Sequence, residues 1–103
     1  MTPDTTLERL RRQARLPDAP AAVASLIEPL LLEAAGPGAE PVSLTLDYGR
    51  PASPGEVVVV EAAVERATRT LVFAYGRLLT PEGAVLATAS AVFRRSGETS
   101  KAV

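Results

Sequence analysis

Three observations predict an α+β fold in which an antiparallel sheet wraps one long helix. The stretch 20–35, PAAVASLIEPLLLEAA, is apolar on nearly every side when read at helical spacing. Beyond Pro41 the apolar period changes from 3.6 to two, the mark of half-buried strands. The connections between those strand segments are short, and short connections force antiparallel neighbours. Together they describe about four strands and a helix that must lie against them.

Taken in order, Thr5-Thr6-Leu7-Glu8 fits a capping box, with Thr5 as cap and Glu8 reaching back. Leu7, Leu10 and Ala14 then make a narrow apolar stripe among Arg9, Arg11, Arg12 and Arg15. That reads as an extra short helix over 6–14, docked through its leucines or offering a basic face to a partner. Leu16-Pro17-Asp18-Ala19-Pro20 is a break, with Asp18 suited to cap the next helix and Pro20 to its first turn. The central helix is expected over 18–36, with Val23, Ile27, Leu30 and Ala34 on one stripe and Ala24, Leu31 and Ala35 on another. A helix apolar nearly all round must be buried nearly all round. Pro29 interrupts its backbone, and Gly36-Pro37-Gly38 ends it, Gly36 suiting a left-handed cap.

Strands are expected over 42–48, 56–65, 69–79 and 85–94, with turns at 49–55, 66–68 and 80–83. Ala74, Gly76, Ala87, Ala89 and Ala91 are small enough to let a helix lie close to the sheet. The tail 96–103 is polar and expected to fray. The whole chain, 1–103, thus reads as a single domain: N-terminal helix 1–17, central helix 18–36, sheet 42–95 and tail.

Composition narrows the chemistry. Apolar residues are 47% of the 103, which supports a folded core. The formal net charge of −1 and 4% aromatics give neither the basic face nor the stacking platform that nucleic-acid binding needs. No apolar run reaches ~18 residues and no signal-type core opens the chain, so no membrane partner and a cytoplasmic location are expected. Cysteine and histidine are both absent. That excludes disulfides, Ser-His and Cys-His catalysis, and His- or Cys-ligated metal. Any general base must be Asp, Glu, Lys, Tyr or water. No glycine-rich phosphate loop opens a helix, and no cofactor is expected.

From Tyr48 onward a family resemblance emerges. Tyr48-Gly49-Arg50-Pro51-Ala52, then the run VEAAVERATRTLVFAYGRLLTPEGAVLATASAVFRR ending at Arg95, resembles the hotdog-fold thioesterases of the phenylacetate-degradation type. The resemblance covers roughly residues 19–95 and implies a hotdog fold and hydrolysis of acyl-CoA thioesters. In that family a His-Gly-Gly motif opens the central helix and one of its N–H groups holds the thioester oxygen. A carboxylate about nine residues later is the nucleophile or activates water. Here Ala19, Pro20 and Ala21 stand at the His-Gly-Gly positions, and the carboxylate position falls on Glu28. Pro20 has no N–H to donate. The chain also departs from the family in reading as a helix where a first strand is usual.

Glu28 is accordingly the candidate catalytic residue. Its helical neighbours Ala24, Ser25, Leu31 and Leu32 are mostly apolar, a setting that suits a general base. The same position suits, more commonly, a solvent-facing carboxylate at a subunit boundary, or one paired with a strand arginine. The backbone of Ala21 and Ala22 is the candidate oxyanion site. Ser25 and Ser43 are candidates to orient water or substrate, although isolated serines are more often plain surface. Arg50, Arg66 and Arg69 sit on turns, where their planar forks suit CoA phosphates, or simply water.

The partner expected is therefore an acyl-CoA or related thioester. A second copy of the chain is expected too, because four strands cannot enclose a helix about 24 Å long that is apolar all round. A dimer is the minimum, and a tetramer fits as well. The alternative reading is a non-catalytic hotdog module that binds acyl or CoA ligands or serves oligomeric assembly.

Overall fold

The computed structural model describes residues 9–95. In chain order its elements are β1 (Arg9–Arg15), α1 (Ala22–Ala35), β2 (Glu40–Tyr48), β3 (Val57–Ala67), β4 (Leu71–Leu79) and β5 (Val85–Arg94). The five strands form one antiparallel sheet in the order β1-β3-β4-β5-β2. Bulges displace Val42 on β2 and Glu65 on β3 from the ladder, raising the local twist that curves a sheet around a helix.

The expected N-terminal helix is corrected: 9–15 is a strand, so the sheet has five strands rather than four, and the first strand thought missing is present. The misreading has a physical origin. Leu10 and Ala14 are four residues apart, a spacing that falls on one side of both a helix and a strand. What decides the matter is tertiary. The edge of β3 offers a free ladder from Val57 to Ala63, and β1 fills it from Arg15 back to Arg9. Arg11 then reaches Glu61 on β3, and Arg12 reaches Glu33 on α1 at 2.8 Å. The capping box at 5–8 and the tail 96–103 lie outside the described residues.

α1 lies over β3 and β4, with Ile27, Leu30 and Leu31 buried against the sheet. It is shorter than the 18–36 expected, and Asp18 does not cap it: Ala21 is the N-cap, without a side-chain hydrogen bond. At its far end Gly36 adopts φ 101° and donates its N–H to Leu32 O at 3.1 Å, although ψ 172° departs from the left-handed cap expected. Close approach to the sheet is made at Gly76, where an added Cβ would sit 2.9 Å from Glu61 O and 3.3 Å from both Ile27 Cγ2 and Leu31 Cδ2.

Burial all round the helix is not seen within one chain. Ser25, Glu28, Pro29 and Glu33 are exposed, and Leu32 is 40% exposed. A single sheet covers one side of a helix and leaves the other open. The core comprises the sheet-facing helix residues together with Leu16, Val58, Val60, Ala62, Val72, Ala74, Leu78, Leu86, Ala87, Ala89, Ala91 and Phe93. No helix of the described residues is long and apolar enough to cross a membrane.

Candidate active site

Two connections at one end of the sheet form a cleft of about 620 Å³. One wall is the β1–α1 connection and the first turn of α1, residues 16–23. The other is the β2–β3 connection, with Tyr48, Gly49, Arg50, Pro51, Ala52 and Pro54; Leu86 also lines it. Backbone hydrogen bonds tie the walls together. Leu16 N–H donates to Glu56 O at 2.9 Å, and Gly55 N–H donates back to Leu16 O at 2.7 Å. Gly49 N–H donates to Leu86 O at 2.8 Å, and a side chain there would meet Val85 O at 2.8 Å, so this approach requires glycine. The Leu16 side chain is buried beneath, which makes the connection part of the core rather than a loose loop.

The helix entrance carries an unusual backbone. Ala21 adopts φ 57°, ψ 33°, the one non-glycine residue at positive φ among the described residues. A left-handed alanine costs about 1–2 kcal/mol, and such strain persists only where the surroundings hold it. Ala21 O accepts the first helical bond, from Ser25 N–H at 2.9 Å. Ala22 and Val23 stand in the first turn of α1, where backbone N–H groups have no intrahelical acceptor. Ala22 and Val23 line the cleft. First-turn N–H groups and the positive end of the helix dipole thus border it, an arrangement that stabilises a developing oxyanion.

Of the expected site residues, the structure brings Ala21, Ala22 and Arg50 together here. Among the described residues, Arg50 is the only basic one lining the cleft, and it is about half exposed. It donates to Pro51 O at 3.1 Å and lies 3.6 Å from the Glu56 carboxylate. Glu56 in turn accepts Ser53 N–H at 3.0 Å, so the turn that presents Arg50 is braced from within.

The others lie elsewhere. Glu28 is exposed on the outward side of α1, two turns or about 10 Å beyond Ala21, and is not part of the cleft. The apolar surroundings expected for it do not exist within one chain, and it forms no ion pair among the described residues. The helical acid that meets an arginine is Glu33. Ser25 donates its hydroxyl to Ala22 O at 2.7 Å and faces a separate shallow groove beside β1. Ser43 stands opposite Val92, in the same cross-strand row as Phe73 and Arg66, on the sheet face away from the helix. Arg66 and Arg69 lie at the opposite end of the sheet, about 30 Å along β3 from the cleft. The Arg66 guanidinium rests 5.4 Å from the Phe73 ring centre.

The most perturbed acid is one the sequence reading passed over. Glu61, only 9% exposed, accepts hydrogen bonds from Arg77 at 2.8 and 3.2 Å and pairs with Arg11. The Arg77 hydrogen bonds hold its carboxyl below the usual range, with Arg11 and Arg9 adding attraction and burial opposing them. Arg77 is raised correspondingly, chiefly by its bond to Glu61. The signal in the sequence was a lone acid inside VVVVEAAV, since a charge buried in such a strand requires a partner. Glu61 faces away from the helix and the cleft. Among the described residues no group of three or more acidic side chains is placed to hold a metal ion.

This architecture is similar to that of solved hotdog thioesterases. Zebra fish thioesterase superfamily member 2 superposes with a TM-score of 0.75 at 19% identity, over 84% of this chain and 73% of that one. A mutant of the phenylacetic acid degradation protein PaaI from Thermus thermophilus gives 0.72 at 18%, over 86% and 92%. A Streptococcus mutans protein bound to acetyl CoA gives 0.76 at 12%, over 87% and 82%. No curated protein sequence matches the chain. The thioesterase superfamily model matches residues 30–87, more than half of the chain, from the second half of α1 into β5. The entrance at 19–28 lies outside that match. By fold and by sequence, the chain belongs to the thioesterase superfamily.

Proposed function

We propose that the protein hydrolyses small or aryl acyl-CoA thioesters in the cleft at the helix entrance. One observation carries the reading: the strained Ala21 backbone and the first turn of α1 that follows it border a cleft lined by Arg50. In this reading the thioester oxygen accepts from Ala22 or Val23 N–H, and Arg50 receives the CoA phosphates. Water activated by Glu28 adds to the carbonyl carbon, the C–S bond breaks, and the CoA thiolate leaves and takes the proton. Glu28 then acts in an assembly. Ala21, Ser25, Glu28 and Leu32 form one exposed stripe on α1, and a second copy against it would cover Glu28 and close the cleft.

The test is a panel of short-chain and aryl acyl-CoAs assayed with wild type, Glu28→Ala and Arg50→Ala. Glu28→Ala is expected to lower kcat by roughly 100-fold or more, as loss of a general base does. Arg50→Ala is expected to raise KM about tenfold with little change in kcat. Activity that survives Glu28→Ala removes Glu28 from the mechanism. A second reading, a hotdog module that binds CoA ligands without hydrolysis, is favoured by Pro20, which has no N–H, and by the exposure of Glu28 within one chain. CoA binding that depends on Arg50, without turnover of any thioester in the panel, would select it.

A further inference from the structure

Arg50 stands in the connection between Tyr48 and Val57, outside any helix or strand, so its place in the cleft depends on what its side chain touches. Among the described residues the guanidinium has two partners. Nη1 donates to Pro51 O at 3.1 Å, a contact that stays within the connection and moves with it. Nη2 lies 3.6 Å from Oε2 of Glu56, the residue immediately before β3. Glu56 is itself tied in three further ways. Its Oε1 accepts Ser53 N–H at 3.0 Å, and its own N–H donates to Ser53 O at 3.1 Å, which closes the turn from both sides. Its backbone carbonyl accepts Leu16 N–H from the opposite wall at 2.9 Å. The Glu56 side chain is 27% exposed against 53% for Arg50, so the acid is the fixed partner and the arginine the one held.

We infer that Glu56 is a positioning residue for CoA, acting through Arg50. It holds the guanidinium at a fixed place relative to the helix entrance, and so sets how well a thioester spanning the two is bound. The inference rests on the reading of Arg50 as the phosphate contact. A loose arginine loses rotamer freedom when it closes on a phosphate, whereas one already restrained loses less, and the difference appears as affinity. The two contacts do not exhaust the guanidinium, whose planar fork carries more donors than they use. The chemistry requires a carboxylate at 56. Each of its oxygens takes a different partner, Ser53 N–H on one and Arg50 on the other. A glutamine has the same shape but a single acceptor oxygen, and its amide nitrogen can only donate, so it satisfies one partner and repels the other. Glu56 does not line the cleft, which separates its role from that of a residue touching the substrate.

Calorimetric titration with CoA, and with pantetheine as the same arm without phosphates, tests this without requiring turnover. Arg50→Ala should raise the Kd for CoA about tenfold and Glu56→Gln about fivefold. The double variant should stay near tenfold rather than reach about fiftyfold, because both changes act on one contact. Pantetheine should bind all three variants as it binds wild type, which a collapsed cleft would not allow. In the acyl-CoA assay Glu56→Gln should raise KM and leave kcat unchanged. Circular dichroism establishes folding; if Glu56→Gln does not fold, Glu56→Asp, one methylene too short to bridge Ser53 and Arg50, carries the same expectation. Unchanged CoA affinity in the folded Glu56 variant overturns the role. So does an equal loss for pantetheine, a fully additive double variant, or a wild type that binds no CoA. The expected binding pattern without turnover of any acyl-CoA would remove the hydrolase reading and leave this role standing.

Discussion

Two glutamates occupy opposite sides of this molecule and show how differently a carboxylate can be used. Glu61 points from β3 onto the outer face of the sheet, nearly buried, with Arg77 and Arg11 bonded to it. Glu28 points outward from α1, exposed and without an ion-pair partner among the described residues. The first is satisfied and holds three strands, β1, β3 and β4, in register. The second contributes nothing visible to the fold, which leaves it free for chemistry. A fully paired acid has little proton affinity to offer a substrate.

The contrast breaks most visibly at Glu61. Glu61→Ala leaves Arg77 without its partner on a half-buried strand and frees Arg11 of β1 from its tie to β3. A loss of about 2–3 kcal/mol is expected, below the usual range for a broken buried pair because Arg11 is largely exposed. Urea melts of wild type and variant measure it, and an effect under about 0.5 kcal/mol would reduce the pair to surface decoration. The pH dependence follows with a defined sign. Folding lowers the Glu61 pKa below its ordinary value of 4.5, so the unfolded chain holds the proton more tightly. The contribution is whole above about pH 4.5 and is lost as pH falls through the lower folded value. Stability of wild type should therefore fall below that pH more steeply than that of Glu61→Ala.

Next in size is the contact between helix and sheet. Gly76→Ala puts a methyl 2.9 Å from Glu61 O and 3.3 Å from Ile27 and Leu31. The backbone oxygen cannot yield cheaply, and overpacking of this kind costs roughly 2 kcal/mol. Because Gly76 stands opposite Ala62 rather than Glu61, the ion pair should survive this change. The two variants together then separate helix docking from strand pairing.

Much of this was legible in the sequence, and the exceptions have physical causes. Period-two alternation revealed β2 to β5 because half-buried strands need it, and the small residues of β4 and β5 anticipated the close helix. The strand at 9–15 was hidden because Leu10 and Ala14 fit both periods, and only the waiting edge of β3 resolves the ambiguity. The positions of Arg66 and Arg69 could have been read: up-and-down strands put alternate connections at opposite ends, so neither could join Arg50 in one cleft. The bend at Ala21 could not, since alanine carries no local preference for positive φ and its conformation is imposed by the connection around it. The partners of Glu61 were likewise invisible until the register placed Arg11 and Arg77 on either side.

Ala21 supplies the third prediction, and its sign is opposite. Ala21→Gly removes a Cβ from a left-handed position and should stabilise the fold by about 1 kcal/mol, or roughly 4–8 °C in Tm. Thermal unfolding decides it, and a destabilised variant would mean that the Cβ is held by favourable packing in the cleft.

The smallest expected effect on stability belongs to Glu28 and sharpens the opening contrast most. Its side chain is exposed, and Ala has the higher helix propensity, so Glu28→Ala should change stability by no more than about 0.5 kcal/mol. The same substitution is expected to remove most thioester hydrolysis. A residue that costs the fold nothing and the reaction nearly everything is held in place for the reaction. The reverse outcome, a clear loss of stability with hydrolysis intact, would place Glu28 beside Glu61 as a structural acid, and the base would then have to come from water held at the helix entrance or from the second copy.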